Sequence, residues 1–361
     1  MSAERTPRRR RRVAPPRLRR PGSSQRGVAL LLVLLIIAVV ASIQIETQYL
    51  TRIDAKIASN VALDTRFYYL AKSGVEAARS LLTEDARDNE FDATSETWAA
   101  PIAYPVDEAL VSLSIVDEER KFPLNYLLKR TTPPPQNGQP QPPQYEVDAP
   151  LYEAFTRLLE AVEAPPEVAP ALIDWLDPDD DPYGPDGAEI NFYERLKPPY
   201  RTKNRALSTL DELRLVRGID AKVFRAIADL VTPYSSDAKV NVNTAPRELL
   251  AVLMPEADAS ALDEIVQKRT DEPFQKIQGT EDNALEAFLS GFSWMTPDRL
   301  KEVLELFRAS SSHFTISSTA SLIPSSDDGD TPTQPENLKL LRAVVNRNGD
   351  GVTELVYWRA T

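Results

Sequence analysis

The chain contains no cysteine, which excludes disulfide bridges, thiolate metal sites and a cysteine nucleophile, and leaves the redox compartment unread. It contains a single histidine, His313, so any serine-histidine-aspartate arrangement would have to use that residue. No G-x-S-x-G elbow accompanies it, and an exposed or structural role is the expectation for His313. Walker, H-E-x-x-H and dinucleotide fingerprints are missing too. Carboxylate pairs are abundant, and their number makes any chosen pair uninformative about glycosidase-like chemistry. Positive charge is outnumbered by negative beyond the N-terminus. The first 27 residues hold ten arginines against one acid, Glu4, so the remainder must carry -21 to bring the chain to its net -12. Such an acidic excess argues against nucleic acid as a partner, because phosphate backbones are gripped by clustered Lys and Arg. It suits a solvated domain or a cation binder. The length of 361 residues and 42% hydrophobic content allow two ordinary folded units.

What is present begins with an uncharged run, VALLLVLLIIAVVASI, from Val28 to Ile43. Sixteen helical residues span roughly 24 Å, slightly short of a bilayer core of about 30 Å, and helical continuation through Gln44 and Ile45 closes the gap at modest cost. The arginines before the run should stay cytoplasmic, which places everything after residue 43 on the far side. A cleaved secretory signal, a plain anchor and a leader removed on the cytoplasmic side all start this way. A secretory signal is followed by a break in helical character, and none occurs here. Apolar residues recur at Ile45, Tyr49, Ile53, Ile57 and Val61, then at Phe67, Leu70, Ala71, Val75, Ala78 and Leu82, a spacing of three and four that marks one helical face. No proline interrupts residues 28–100 and Gly74 is their only glycine. One helix of about fifty residues is expected, half in lipid and half amphipathic.

That helix, preceded directly by Arg26-Gly27, resembles the class III signal of type IV pilins and type II secretion pseudopilins. The resemblance implies that prepilin peptidase cuts between Gly27 and Val28 and methylates the new N-terminus, although the leader is longer than is usual in that family. It also exposes a departure, since most members have Glu at the fifth mature position and Leu32 stands there. In this the chain is similar to one minor pseudopilin, the K subunit of type II secretion. A buried Glu normally pairs with a neighbouring subunit's terminal amine, because an unpaired charge in lipid costs several kcal/mol, and a subunit at a filament tip has no such neighbour above it.

Residues 106–117 alternate polar and apolar and read as a strand. The Pro/Gln-rich stretch 131–144 is a loop short of backbone donors. Helical patterns follow near 151–162, 167–176, 209–217, 221–231, 246–253, 259–268, 283–289 and 297–307. Strands resume at 314–323, 338–347 and 352–359, the last two joined through Asn348-Gly349-Asp350-Gly351, whose Asn-Gly and Asp-Gly pairs suit a tight hairpin. The expected class is α+β: a pilin-like long N-terminal helix packed on an antiparallel sheet, with a large all-helical insert after the first strand, as resemblance to the K subunit also implies. The expected divisions are a cleaved basic leader (1–27), a membrane helix (28–43), an amphipathic stem (44–85), the first part of the α+β domain (86–125), an insert of two sterile-alpha-motif-like halves (126–310) and the C-terminal strands (311–361).

The most distinctive stretch is IDWLDPDDDPYGPDGAEINFY, residues 173–193. Asp177, Asp179 and Asp181 alternate, Asp186 and Glu189 follow, and Gly184 and Gly187 allow sharp turns. Oxygen ligands packed this densely suit calcium, which takes six to eight of them, while a solvated acidic loop with capping aspartates accounts for the same composition. An EF-hand is excluded, since Pro182 and Ala188 occupy the positions for its glycine and terminal Glu. The K family has a similar D-W-x-D-x-D-D…G-A-E…Y signature and binds calcium, so the resemblance implies a structural calcium held by residues among these five. Asp117-Glu118-Glu119-Arg120-Lys121 and Leu124-Asn125 partly match that family's strand-to-helix junction, with Pro123 where Asn is frequent. For these side chains an ordinary polar turn is expected.

Two segments suggest helix-hairpin-helix units, Leu213 to Ile227 and Val240 to Arg269. In the first, Asp220 follows Gly218-Ile219 and would repel phosphate. The second turn has no glycine, and residues 241–272 hold seven acids against three bases. Packing units are the better reading than DNA binding. By resemblance the chain is expected to be a non-enzymatic minor pseudopilin in the inner membrane with its C-terminal domain in the periplasm. It would prime and cap the pseudopilus with subunits I, J and H, and meet the secretion system's inner-membrane platform and prepilin peptidase. A membrane-anchored DNA handler and a metal-using hydrolase are the alternatives.

Overall fold

The computed structural model describes residues 24–136, 139, 141–323 and 338–361, so the basic leader lies outside the described residues as far as residue 23. The chain divides into two compact units, residues 1–63 and 64–361. Helix α1 runs from Ser24 to Asp88, 65 residues, longer than the fifty expected. Nothing in the sequence stops it before Asn89, whose side-chain oxygen accepts from Phe91 N at 3.1 Å and turns the backbone out of the helix. In the first unit, residues 28–61 of α1 are exposed, and α1 is the one helix among the described residues long and apolar enough to cross a membrane.

The second unit continues with β1 (Ile102–Val106), β2 (Ala109–Asp117), β3 (Phe122–Pro123), β4 (Leu128–Thr131), β5 (Gln144–Val147), α2 (Ala149–Ala161), α3 (Val168–Leu176), α4 (Ile190–Tyr193), α5 (Ala221–Ile227), β6 (Val231–Thr232) and β7 (Val240–Asn241). It ends with α6 (Arg247–Leu253), α7 (Ala259–Asp271), α8 (Leu285–Leu289), α9 (Pro297–Glu305), β8 (Phe307–Arg308), β9 (His313–Leu322), β10 (Lys339–Arg347) and β11 (Thr353–Ala360). Five strands form one antiparallel sheet in the order β1-β2-β9-β10-β11. The strand expected at 106–117 is β2. Asp107, with φ of 54°, turns the chain back onto a preceding strand, β1, so the insert follows this hairpin. Residues far apart in sequence meet at β2 and β9, where Ile115 lies opposite Ile316.

Phe67, Ala71, Val75, Ala78 and Leu82 of α1 are buried, as the apolar stripe requires, and they cover the sheet face carrying Val111, Leu113 and Ser318. Gly74 is the point of closest approach. A Cβ built there would lie 2.3 Å from Ser318 Oγ and 2.7 Å from Leu113 Cδ2, so the helix can settle only on a residue without a side chain. Gly74→Ala is expected to lower stability by about 2 kcal/mol, the overpacking cost outweighing the gain in helix propensity, as read from urea unfolding of the detergent-solubilised chain.

Between β2 and β9 the expected helical segments appear as α2, α3, α5, α6, α7, α8 and α9, and 209–217 is a 3-10 turn at Leu210–Leu215. Its Thr209 and Glu212 form a capping box. The insert is not purely helical: β4 and β5 pair across the Pro/Gln-rich loop, and the two-residue pairs β3-β6 and β7-β8 run parallel. Buried apolar side chains from Phe122 to Phe307 form one continuous core. The β10-β11 turn also differs from the expected tight hairpin. Only Gly351, at φ 77°, takes the left-handed conformation, and Asn348 organises the longer loop by accepting from Asp350 N and Val352 N.

Candidate metal centre

Helix α3 is apolar on every side and buried throughout, yet it contains Asp174. That carboxylate is fully buried because the following loop folds back on it. Its Oδ1 accepts from Tyr183 N at 2.7 Å and its Oδ2 from Ala188 N. Gly187 makes the return possible, since a Cβ there would collide with Asp174 Oδ2. The loop thereby delivers Glu189, at the start of α4, to Asp177, which caps the end of α3. Carboxylate oxygens of Asp174, Asp177 and Glu189 all lie within 4.8 Å of one another.

Of the five residues expected to ligate, this brings together Asp177 and Glu189. Asp179, Asp181 and Asp186 are exposed and stand outside the trio; Asp179 Oδ1 accepts from Asp181 N at 2.9 Å, a bond internal to the loop. Asp174 was not among the five. Its signal was its position inside an apolar helix, where an acid has to have a partner.

The trio has no internal compensation. Asp177 Oδ1 and both Glu189 oxygens are buried without a hydrogen-bond partner, and no Lys or Arg forms an ion pair with any of the three among the described residues. Burial, reinforced by repulsion from Asp179 and Asp174, pushes the Asp177 carboxyl up to about 7. Burial and the charges of Asp174 and Asp177 push Glu189 up to about 8. Oxygens sharing an ion at about 2.4 Å are at most about 4.8 Å apart, so the donor set, spacing and unmet acceptors fit a calcium-sized cation.

A second acidic stretch expected to be a plain polar turn is buried. Asp117 accepts from Asn241, Thr244 and Ser311 at 3.1, 2.5 and 2.7 Å, and Glu119 accepts from Ser236 N and Ser312 N at 2.9 and 2.6 Å. Arg308 lies 3.1 Å from Glu119 and His313 Nδ1 lies 3.2 Å from it, which gives the single histidine a structural role. These bonds rivet the insert to the ends of β2 and β9. Nearby, Arg347 reaches Asp85 at 2.8 Å and Asp92 at 2.6 Å. The helix-hairpin-helix candidates have no open phosphate cradle: Asp220 takes Lys222 N and Val223 N at 2.8 Å, and Asp258 takes Ala261 N.

A helix whose first part is apolar and whose second part lies on one antiparallel sheet, with an insert let in between β2 and β9, defines a pilin-like protein. Family models described as type II secretion system (T2SS), protein K match residues 120–236 and 240–287. The type II secretion system protein K of Pseudomonas aeruginosa is 30% identical over 263 residues, covering 70% of this chain and 74% of that protein. Its counterpart in Klebsiella pneumoniae is 32% identical over 246 residues, covering 64% and 71%. The chain belongs to the type II secretion system protein K family and is a minor pseudopilin. A chain of the solved GspK-GspI-GspJ complex from the type 2 secretion system of enterotoxigenic Escherichia coli has the same fold, with a TM-score of 0.61 at 18% identity, over 81% of this chain and 95% of that one.

Proposed function

We propose that this minor pseudopilin is anchored in the inner membrane by residues 28–43, faces the periplasm with residues 64–361, and joins other minor pseudopilins, subunits I, J and H, to start and cap the pseudopilus. The carrying observation is Leu32 within an uncharged first membrane turn, joined to an insert of some 180 residues that is too bulky for the inside of a helical filament. A chain that sits above its neighbours meets no terminal amine from a subunit above, so an uncharged Leu32 costs it nothing where a carboxylate would be left unpaired in lipid. Prepilin peptidase would cut between Gly27 and Val28, and the secretion platform would receive the mature chain. The role is assembly and not catalysis. Mass spectrometry of the protein from secreting cells should find a methylated N-terminal Val28, and affinity capture should bring down I and J. An intact arginine leader in such cells would refute the processing and the tip position together.

We further infer that Asp174, Asp177 and Glu189 hold one structural calcium, whose charge replaces the missing counterion and fixes the loop between α3 and α4. What supports this is the set of buried, unpartnered carboxylate oxygens on Asp177 and Glu189. A pH dependence follows from the raised Asp177 and Glu189. Acids whose folded pKa lies above the unfolded value stabilise the fold below pH 4 and lose that contribution as pH rises through about 7 and 8. In EDTA the melting temperature should therefore fall between pH 5 and pH 8, while calcium affinity rises over the same interval with protons released. Equal calcium affinity at pH 5.5 and pH 8 would count against this trio.

A further inference from the structure

The two edges of the five-stranded sheet are unlike. β1 is five residues long with Pro105 inside it, which removes a donor and discourages further pairing. β11 is eight residues, TELVYWRA, without proline, glycine or lysine, and among the described residues it pairs only with β10. Leu355 and Val356 are 52% and 49% exposed.

The backbone of β11 defines what this edge can take. Leu340 and Thr361 exchange both their bonds, at 3.0 and 2.9 Å, and Asn348 N donates to Val352 O at 3.0 Å, so Thr361 and Val352 point their groups inward to β10. Alternation then turns Ala360 and Trp358 outward from one end, and Thr353 and Leu355 outward from the other. The bulge between Val344 and Val345, opposite Tyr357 and Leu355, absorbs the change of phase. At one end the outward Thr353 carbonyl is already taken by Arg79, at 2.7 Å. The free ladder is therefore Leu355, Trp358 and Ala360. Flanking it are Glu354 and Arg359, a negative and a positive charge, with Arg359 lightly held by Asp211 at 3.3 Å.

We propose that the outer edge of β11 accepts an extended segment of a partner protein as a sixth, antiparallel strand, with apolar residues opposite Leu355 and Trp358, a basic residue opposite Glu354 and an acidic one opposite Arg359. The backbone ladder supplies affinity and the two charges set register and direction. This goes beyond the assembly role, which uses the N-terminal helix, and stands whether or not that role is correct.

A regular strand skips the bulged Val356, so the seven-residue peptide TELVWRA is complementary in this register: lying antiparallel on the edge, its arginine faces Glu354, its tryptophan and leucine face Leu355 and Trp358, and its glutamate faces Arg359. The test is fluorescence anisotropy of this labelled peptide with the full chain in detergent micelles. Binding should be abolished by N-methylation at the peptide's leucine and tryptophan, which face the ladder, and retained after N-methylation at its glutamate and arginine. Glu354→Arg should weaken binding about fivefold, and the peptide TELVWEA should restore it on that variant. Absence of binding at about millimolar peptide, or equal sensitivity to N-methylation at all four positions, would overturn the proposal. So would a concentration-dependent dimer of the chain that the peptide dissociates, which would assign the edge to a second copy.

Discussion

Arg347→Met is expected to destabilise the sheet-bearing unit by about 4 kcal/mol at neutral pH, the cost of leaving buried carboxylates without their cation. Arg347 is almost wholly buried and bridges Asp85, near the end of α1, to Asp92, with a further bond from its guanidinium to Ser311 O at 3.0 Å. Its guanidinium also lies 4.7 Å from the Phe314 ring, a packing role that methionine largely keeps, so the loss reports charge. Even with Arg347 in place, burial outweighs its attraction and holds the Asp92 carboxyl up at about 7. Removing the arginine raises it further. An acid shifted upward stabilises the fold when protonated, so the deficit of the variant should be smallest near pH 5 and grow as pH rises to 8. The double variant Arg347→Met with Asp92→Asn should recover much of the loss. Urea unfolding of the solubilised chain at the two pH values measures both effects, and a deficit independent of pH would assign the cost to packing alone.

The elements legible in the sequence were those with a periodic apolar face. The α1 stripe from Phe67 to Leu82, the alternation in β2 and the segments that became α2, α6 and α7 all follow from side-chain spacing, because each buries one face against a single core, while α3 was legible as a short run apolar on every side. β3, β6, β7 and β8 escaped notice for a physical reason: two-residue parallel pairs have no period, and tertiary contacts alone align them. The buried roles of Asp117 and Glu119 were hidden because a charged run reads as solvated until Asn241, Ser311 and Ser312 arrive from 120 to 200 residues away. In the candidate site, acid density drew the reading to Asp179, Asp181 and Asp186. Those residues are dense because they are exposed and cost nothing to repeat. Asp174 stands alone among apolar neighbours, and a solitary acid on a buried helix was the stronger sign of a functional constraint.

Glu189→Gln is expected to abolish the calcium-dependent part of the stability while leaving the calcium-free protein as stable as before, or more so. Calcium at a hundred times its dissociation constant should stabilise the wild-type chain by about 2.7 kcal/mol, a rise in melting temperature of roughly 8 °C for a domain of this size. Glutamine keeps the shape of the side chain and one acceptor oxygen, but it removes the charge that the cation would offset, and it also removes the repulsion that drives Glu189 up to about 8 in the cation-free state. The calcium-induced rise should therefore shrink to near zero in this variant, while its melting temperature in EDTA holds or increases. Asp179→Asn supplies the contrast, because Asp179 is exposed and already accepts from Asp181 N. It should keep most of the calcium response. If Asp179→Asn lost the response and Glu189→Gln kept it, the cation would be held by the exposed aspartates of the loop, and the buried carboxylates would instead share protons, with Glu189 neutral at pH 7.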